Sequence, residues 1–335
     1  MPIEISTFTG EHIDDAARLL AARHRADLER EPDLSPKFAD VDAARDAVLE
    51  VLEAPGTRGT VAARGGRLVG YLLSTPQLPS PTSGLALAVP PRSVRIALAG
   101  HTVEPDEGAD IYRSLYAGLS GHWVGAGYFS HNIGVPANDR QALDAWFSLG
   151  FGQDSAQGLR RTTPVEASAV GPGIEIRRAG PEDIDVVVDM VVANAAHHVA
   201  APMFAPYLPE VFPDMREYHV SLLADPANAA WVAYHEGVPL GLQTFAAMRE
   251  SLSTPANCVL LQNGYTVPPA RGTGVATALL ARSLEWARET GYERCTVGWL
   301  TSNPLSSRFW QRSGYRPVTY RLSRSVDRRI AWARP

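Results

Sequence analysis

Val267 to Thr290 reads V-P-P-A-R-G-T-G-V-A-T-A-L-L-A-R-S-L-E-W-A-R-E-T: an apolar segment, a short glycine-bearing turn and an amphipathic helix in succession. Ahead of it, Cys258-Val259-Leu260-Leu261 and Tyr265-Thr266-Val267 are β-branched, aromatic or apolar, which predicts a strand. Behind it, Val275, Leu279, Arg282 and Trp286 recur at helical spacing, and Ala276, Leu280 and Leu284 widen the stripe. Gly291 is the residue type that suits a helix C-terminus. The turn Arg271-Gly272-Thr273-Gly274 therefore lies where backbone N–H groups converge and the helix dipole favours negative charge. Two glycines keep side chains off that backbone, and Arg271 adds a cation suited to phosphate oxygens. The spacing predicts a pyrophosphate cradle, although the glycines alone fit an ordinary turn into a helix.

Two better-known phosphate loops do not match. A dinucleotide fingerprint needs G-x-G-x-x-G, and position 277 is Thr; a Walker loop needs Gly-Lys-Ser/Thr, and the turn has no Lys. What stands is R-G-x-G-x-A ahead of a leucine-rich helix, which resembles motif A of the GNAT acyltransferase superfamily. Downstream, Thr296 to Leu300 (T-V-G-W-L) predicts a second strand, followed by Asn303-Pro304-Leu305-Ser306-Ser307-Arg308-Phe309-Trp310-Gln311-Arg312-Ser313-Gly314-Tyr315. This is similar to motif B of the same family, N-x-x-A/S-x-x-F/L-Y/W-x-x-x-G-F/Y. The resemblance implies that the motif A loop holds the pyrophosphate of coenzyme A and that Asn303 contacts its pantetheine arm. The acyl-CoA contacts expected from it are Thr266, Val267, Arg271, Gly272, Thr273, Gly274, Val275, Ala276, Thr277, Asn303, Ser306 and Trp310.

The chain repeats itself. Ile3-Glu4-Ile5 returns as Ile174-Glu175-Ile176, an offset of 171 kept by Glu11/Glu182, Ile13/Ile184, Asp14/Asp185, Gly66/Gly237 and Gly70/Gly241. A second block returns at an offset of 164, where Gly100-His101-Thr102-Val103 matches Gly264-Tyr265-Thr266-Val267 and Trp146/Gly150 match Trp310/Gly314. Two collinear runs argue for duplication, and the change of offset places an insertion in the first copy near Gln77 to Gly84. The expected class is α/β: two tandem GNAT-like domains, residues 1–162 and 174–335, each a twisted mixed sheet flanked by helices. Residues 163–173 are the expected linker. Where the second copy has Arg271-Gly272-Thr273-Gly274, the first has Glu107-Gly108-Ala109-Asp110, two carboxylates that repel a pyrophosphate. The second half is therefore expected to bind coenzyme A, with the first degenerate.

Composition narrows the partners. With 36 Asp and Glu against 31 Lys and Arg, net −5, nothing favours a nucleic-acid partner. Cys258 and Cys295 fall in predicted apolar strands and read as buried thiols, and no His/Cys spacing fits zinc. No apolar run approaches membrane-spanning length and no basic segment precedes an apolar one at the N-terminus, so a cytoplasmic protein is expected, monomeric or homodimeric. Arg321, Arg324, Arg328, Arg329 and Arg334 read as a solvated basic tail.

The resemblance implies an N-acetyltransferase that moves an acyl group from acetyl-CoA or another acyl-CoA, without a metal, to the primary amine of a small molecule. Both usual catalysts of that family are missing: Cys258 to Val267 holds no Asp or Glu, and Trp310 stands where many relatives have Tyr. The candidates are His197 and His198, for their pKa, and Tyr265, for its place on the strand; each also fits plain packing or solvation. His219 is a third such histidine, and Met203, Phe204, Tyr207 and Phe212 fit either core or the wall of an acceptor pocket. The missing catalysts equally suit a non-catalytic acyl-CoA-binding or sensing module.

Overall fold

A computed structural model describes residues 2–166 and 170–333; residues 167–169 of the expected linker and Arg334 lie outside the described residues. The first half runs β1 (Ile3–Thr7), α1 (Ile13–Arg30), α2 (Val41–Glu53), β2 (Arg58–Arg64), β3 (Arg67–Gln77) and β4 (Ser93–Ile96). It continues through β5 (His101–Val103), α3 (Asp110–Gly125), β6 (Ser130–Pro136), α4 (Arg140–Ser148) and β7 (Gly152–Arg161). The second half runs β8 (Ile174–Arg178), α5 (Ile184–Val199), α6 (Phe212–Ala224), β9 (Ala229–His235), β10 (Val238–Ala247) and β11 (Cys258–Thr266). It closes with α7 (Val275–Glu289), β12 (Arg294–Leu300), α8 (Pro304–Arg312) and β13 (Arg316–Ser325). Both offsets survive as structure: β1 and β8 start at Ile3 and Ile174, β6 and β12 at Ser130 and Arg294. The first half's extra residues fall between β3 and β4, where the single 3-10 turn Gly84–Leu87 reaches the other half; the Gly84 N–H donates to the Asp214 carboxylate at 2.7 Å.

The helix predicted after the glycine turn forms because one face of it is apolar. Val275, Leu279, Leu280, Leu284 and Ala287 are buried against a cluster that includes Phe245, Val259 and Leu261. Each fully buried Val or Leu among them stabilises by roughly 1.5–3 kcal/mol. The helix ends as Gly291 turns left-handed (φ 96°) and the Tyr292 N–H donates to the Ala287 carbonyl at 2.8 Å. Arg282, which the spacing puts in the apolar stripe, is half-exposed instead, paired with Glu285 and 5.0 Å above the Trp231 ring. Its long stem covers apolar surface while its charge stays in water.

The two halves share one 13-stranded sheet in the order β1-β2-β3-β4-β6-β13-β7-β12-β11-β10-β9-β8, with β5 paired to β3. Each half gives its last strand to the other. β13 pairs with β6 from Thr319↔Pro136 to Ser325↔Ser130, and β7 pairs with β12 from Arg294↔Arg161 to Leu300↔Ser155. Linear division of the chain therefore does not divide the sheet. An ion cluster with buried carboxylates and partly exposed arginines spans the same seam: Asp33, after α1, accepts from Arg161 (2.9 Å), Arg294 (3.0 Å) and Arg316 (3.1 Å), and Glu31 accepts from Arg316 at 2.8 Å. Burial alone would raise the Asp33 pKa, but the bond from Arg161 and the charges of Arg294 and Arg161 outweigh it and lower it. Two of the C-terminal arginines are likewise engaged, so the solvated tail is corrected for these: Arg321 pairs with Asp154 and Arg324 stacks on Tyr116, whereas Arg328 and Arg329 are exposed as expected. Cys258 and Cys295 are buried free thiols on neighbouring strands.

Candidate active site

β11 and β12 run parallel and paired only from Cys258↔Arg294 to Leu261↔Val297. The next residue, Gln262, is the extra residue of a bulge, since Thr244 of β10 faces Asn263 while Phe245 faces Leu261. A bulge bends and twists its strand, and here the two strands part. They leave a cleft of about 630 Å3. Its wall includes Tyr265, Thr266 and Gly264 of β11, Gly298 and Trp299 of β12, and Asn303, Ser306 and Trp310 at the start and body of α8.

The glycine turn closes one end. Arg271, Gly272, Gly274, Val275, Ala276 and Thr277 all line the cleft. Gly272 (φ 78°) and Gly274 (φ 88°) adopt left-handed backbone that side-chain-bearing residues resist, and a Cβ at Gly272 would meet nothing within 4 Å. Gly274 caps α7 with no side-chain hydrogen bond to the first turn, so that turn's amides have no side-chain acceptor. Arg271 is braced by its Nε donating to the Thr266 carbonyl at 3.1 Å. Two predicted residues do not line the cleft: Thr273 donates its hydroxyl to the Ala270 carbonyl at 2.7 Å, and Val267 packs in the cluster of Val187, Met190 and Leu242. Asn303, expected to contact pantetheine, uses its side-chain oxygen to cap α8, accepting from the N–H groups of Leu305 (3.0 Å) and Ser306 (3.3 Å).

His197 and His198, at the end of α5, both line the cleft with Tyr265. Burial lowers the His197 pKa, and the nearby Arg271 charge lowers it further; burial and then the His197 charge do the same to His198. Arg271 also lies 6.0 Å from the Tyr265 ring. His219 falls outside this group: it is buried in α6, its Nδ1–H donating to the Met215 carbonyl at 2.7 Å. Met203, Phe204, Tyr207 and Phe212 do not line the cleft either, and Phe204 is 74% exposed, so neither core nor this pocket holds it. Trp310 is a wall: it packs on Gly264, where a Cβ would sit 3.1 Å from the indole, and against Phe309 and Tyr315.

The matching corner of the first half is filled by its own side chains. His101 occupies the place of Tyr265 and donates Nε2–H to the Gly134 carbonyl at 2.8 Å, bridging the gap that separates β11 from β12 in the second half. Burial pushes its pKa down to about 3, so the ring is neutral. Leu98 closes on Gly134 from the same side, with its Cγ 3.6 Å from where a Cβ would stand, whereas a Cβ at Gly298 would meet only the Ala156 carbonyl at 4.0 Å. Trp146 is fully buried among Tyr112, Tyr116 and Phe151, with ring centroids 5.8, 5.7 and 5.0 Å away. Glu107, at the place of Arg271, is held by Arg64 through bonds of 2.9 and 2.7 Å.

Among the cleft residues that the sequence reading missed, two polar ones stand out. Ser155 comes from β7 of the first half, brought there by the strand exchange. Gln243 of β10 is buried, its Nε2 donating to the Ala276 carbonyl at 3.2 Å while its Oε1 has no partner. An enclosed amide oxygen without a donor costs stability on its own. The signal was present, since the first half has Leu72 at that place of the repeat. An uncapped helix start, open glycines, a guanidinium and an orphaned acceptor fit a long ligand with a diphosphate and amide groups, as acyl-CoA is. Among the described residues no cluster of three or more His, Cys, Asp or Glu could hold a metal, and no helix is long and apolar enough to cross a membrane.

Residues 193–315 match the family model described as acetyltransferase (GNAT) family. The chain is 28% identical over 110 residues to the uncharacterized N-acetyltransferase YjgM of Escherichia coli, a match covering 33% of this chain and 64% of that protein's length. Among solved structures it is similar to a GCN5-related N-acetyltransferase from Sphaerobacter thermophilus (TM-score 0.62, 16% identity, 96% of this chain and 95% of that one). It is also similar to a tandem GNAT protein from the clavulanic acid biosynthesis pathway (TM-score 0.53, 15% identity, 97% and 98% covered). At such identities the likeness is one of fold.

Proposed function

We propose that the chain, whose residues 193–315 match the acetyltransferase (GNAT) family model, is an N-acyltransferase using acetyl-CoA or another acyl-CoA. The acceptor in this reading is the primary amine of a small molecule. Residues 174–335 carry the acyl-CoA site and residues 1–162 are a degenerate copy, although β7 of that copy lends Ser155 to the site. One contrast carries the reading. The second half keeps an open cleft ending on uncapped α7 amides and Arg271, while the first half stops the same corner with His101, Leu98 and Trp146.

The Gly272-to-Thr277 turn and Arg271 would hold the diphosphate, and the free edge of β11 would hold the arm that leads to the acyl group. Bound acyl-CoA supplies a thioester, an acyl group already activated toward nitrogen. His197 and His198, kept neutral by burial and by the charges beside them, accept the proton that the amine must lose. Tyr265 lines the same cleft, and in this reading its hydroxyl supplies a proton to the departing sulfur. Release of CoA thiol, followed against pH with an amine panel, tests this. The acid limb of kcat, which reports groups of the bound complex, is expected below pH 6.5, the ordinary histidine value, because both histidines are shifted down. The double variant His197→Gln/His198→Gln is expected to lose about 100-fold or more in kcat while acetyl-CoA still binds. Binding without turnover on any amine supports instead a non-catalytic acyl-CoA-binding module, a reading favoured by Trp310 at the family's Tyr position.

A further inference from the structure

Resting on that reading, we propose that the acceptor is a weakly basic amine taken up in its neutral form, such as the α-amine of an amino-acid amide. A lysine- or polyamine-type alkylammonium does not fit. Among the described residues, the cleft wall carries one formal charge, the Arg271 guanidinium, and it is positive. Its other polar groups are the imidazoles of His197 and His198 together with hydroxyls and amides, among them Ser155, Asn194, Gln243, Gln262 and Asn303.

Taking the facing elements in turn, α5 contributes His197 and His198, and β11 contributes Tyr265. From α6, Tyr218 donates its hydroxyl to Gln262 at 2.7 Å. β7 contributes Ser155, and its neighbour Asp154 is committed to Arg321 at 2.6 Å. β12 and α8 contribute Trp299, Asn303, Ser306 and Trp310, none of which titrates in this range. Asp214, the carboxylate at the edge of α6, accepts from the Gly84 N–H. An ammonium entering this cleft meets a like charge and leaves water without a carboxylate to replace it, a heavy cost.

The amine must therefore arrive neutral, and its own basicity sets how often it does. At pH 7 an amine of lysine type, pKa about 10.4, is neutral in about 1 molecule in 2,500, whereas an α-amine, pKa about 8, is neutral in about 1 in 10. Histidines whose pKa values lie below the ordinary one cannot make up that difference by removing the proton first. In the transfer itself the nitrogen lone pair forms the N–C bond, the C–S bond of the acyl thioester breaks with its electron pair going to sulfur. Overall one proton passes from nitrogen to sulfur.

The test compares glycinamide with n-propylamine on the full chain with acetyl-CoA. At pH 7 glycinamide is expected to exceed propylamine by about 100-fold in kcat/KM; propylamine climbs about tenfold per pH unit from 7 to 9, and glycinamide levels off above about 8. Gln262→Glu, which puts a carboxylate into the wall while keeping an acceptor for Tyr218, is expected to narrow the gap at least about tenfold. Calorimetry without acyl-CoA gives a separate readout: propylamine binding at pH 7 releases about one proton to the buffer, as uptake of the neutral form requires. Propylamine equal to glycinamide at pH 7, with a flat profile and no proton release, overturns the proposal. Acetyl-CoA binding with neither amine acylated overturns the transfer reading, and this proposal with it.

Discussion

Arg271→Glu in the full chain is expected to weaken acetyl-CoA binding by at least about 100-fold, read by calorimetric titration. A guanidinium bound to phosphate oxygens makes charge-assisted hydrogen bonds worth about 1.5–3 kcal/mol each. The glutamate removes them and adds a like charge beside a diphosphate; each 1.4 kcal/mol lost is about tenfold in affinity. The first half already contains this substitution, for Glu107 occupies the matching place and bonds to Arg64 instead. Folding should change little, because Arg271 makes one hydrogen bond to the Thr266 carbonyl and a 6.0 Å contact with the Tyr265 ring, and such a change near the surface costs about 0.5 kcal/mol. A variant that binds like the parent removes the diphosphate from this turn.

The second large effect concerns the whole fold: residues 174–335 expressed alone are expected not to fold into a cooperative, acyl-CoA-binding unit. Removing the first half strips β7 from between β12 and β13, and β6 from the other side of β13. Both freed strands would then present unpaired backbone groups, the arrangement that leads to aggregation. Arg294 and Arg316 would lose Asp33, and the cleft would lose Ser155. Denaturant unfolding followed by tryptophan fluorescence checks this. A sharp two-state transition with acetyl-CoA stabilisation in the isolated half would show that the exchanged strand is dispensable.

How much of this was legible in the chain depends on whether the information is local. Strand, glycine turn and helix from Cys258 to Glu289 could be read because apolar spacing and Gly272/Gly274 determine them within a few residues. Matching at two offsets carried the architecture, since the elements of the halves follow the same order, with β4 and β5 together standing where the second half has β11. The strand exchange was not legible: β7 and β13 have similar partners available in either half, and nothing in Gly152–Arg161 says which edge it joins. For the same reason Ser155 could not be foreseen. His101 was visible as the counterpart of Tyr265, but its role as a stopper needs the 2.8 Å bond to Gly134, a contact between segments 33 residues apart. Phe204 shows the opposite failure, an aromatic residue expected to be covered by core or pocket that the fold leaves exposed.

The position of a bound diphosphate tests all of this most directly, and a crystal structure of the full chain with acetyl-CoA would give it. The phosphate oxygens are predicted within hydrogen-bonding distance of backbone N–H groups between Gly272 and Thr277, with the Arg271 guanidinium alongside and the first half's corner still stopped by His101. A diphosphate seated instead at Glu104 to Asp110, or anywhere away from the start of α7, would contradict the account.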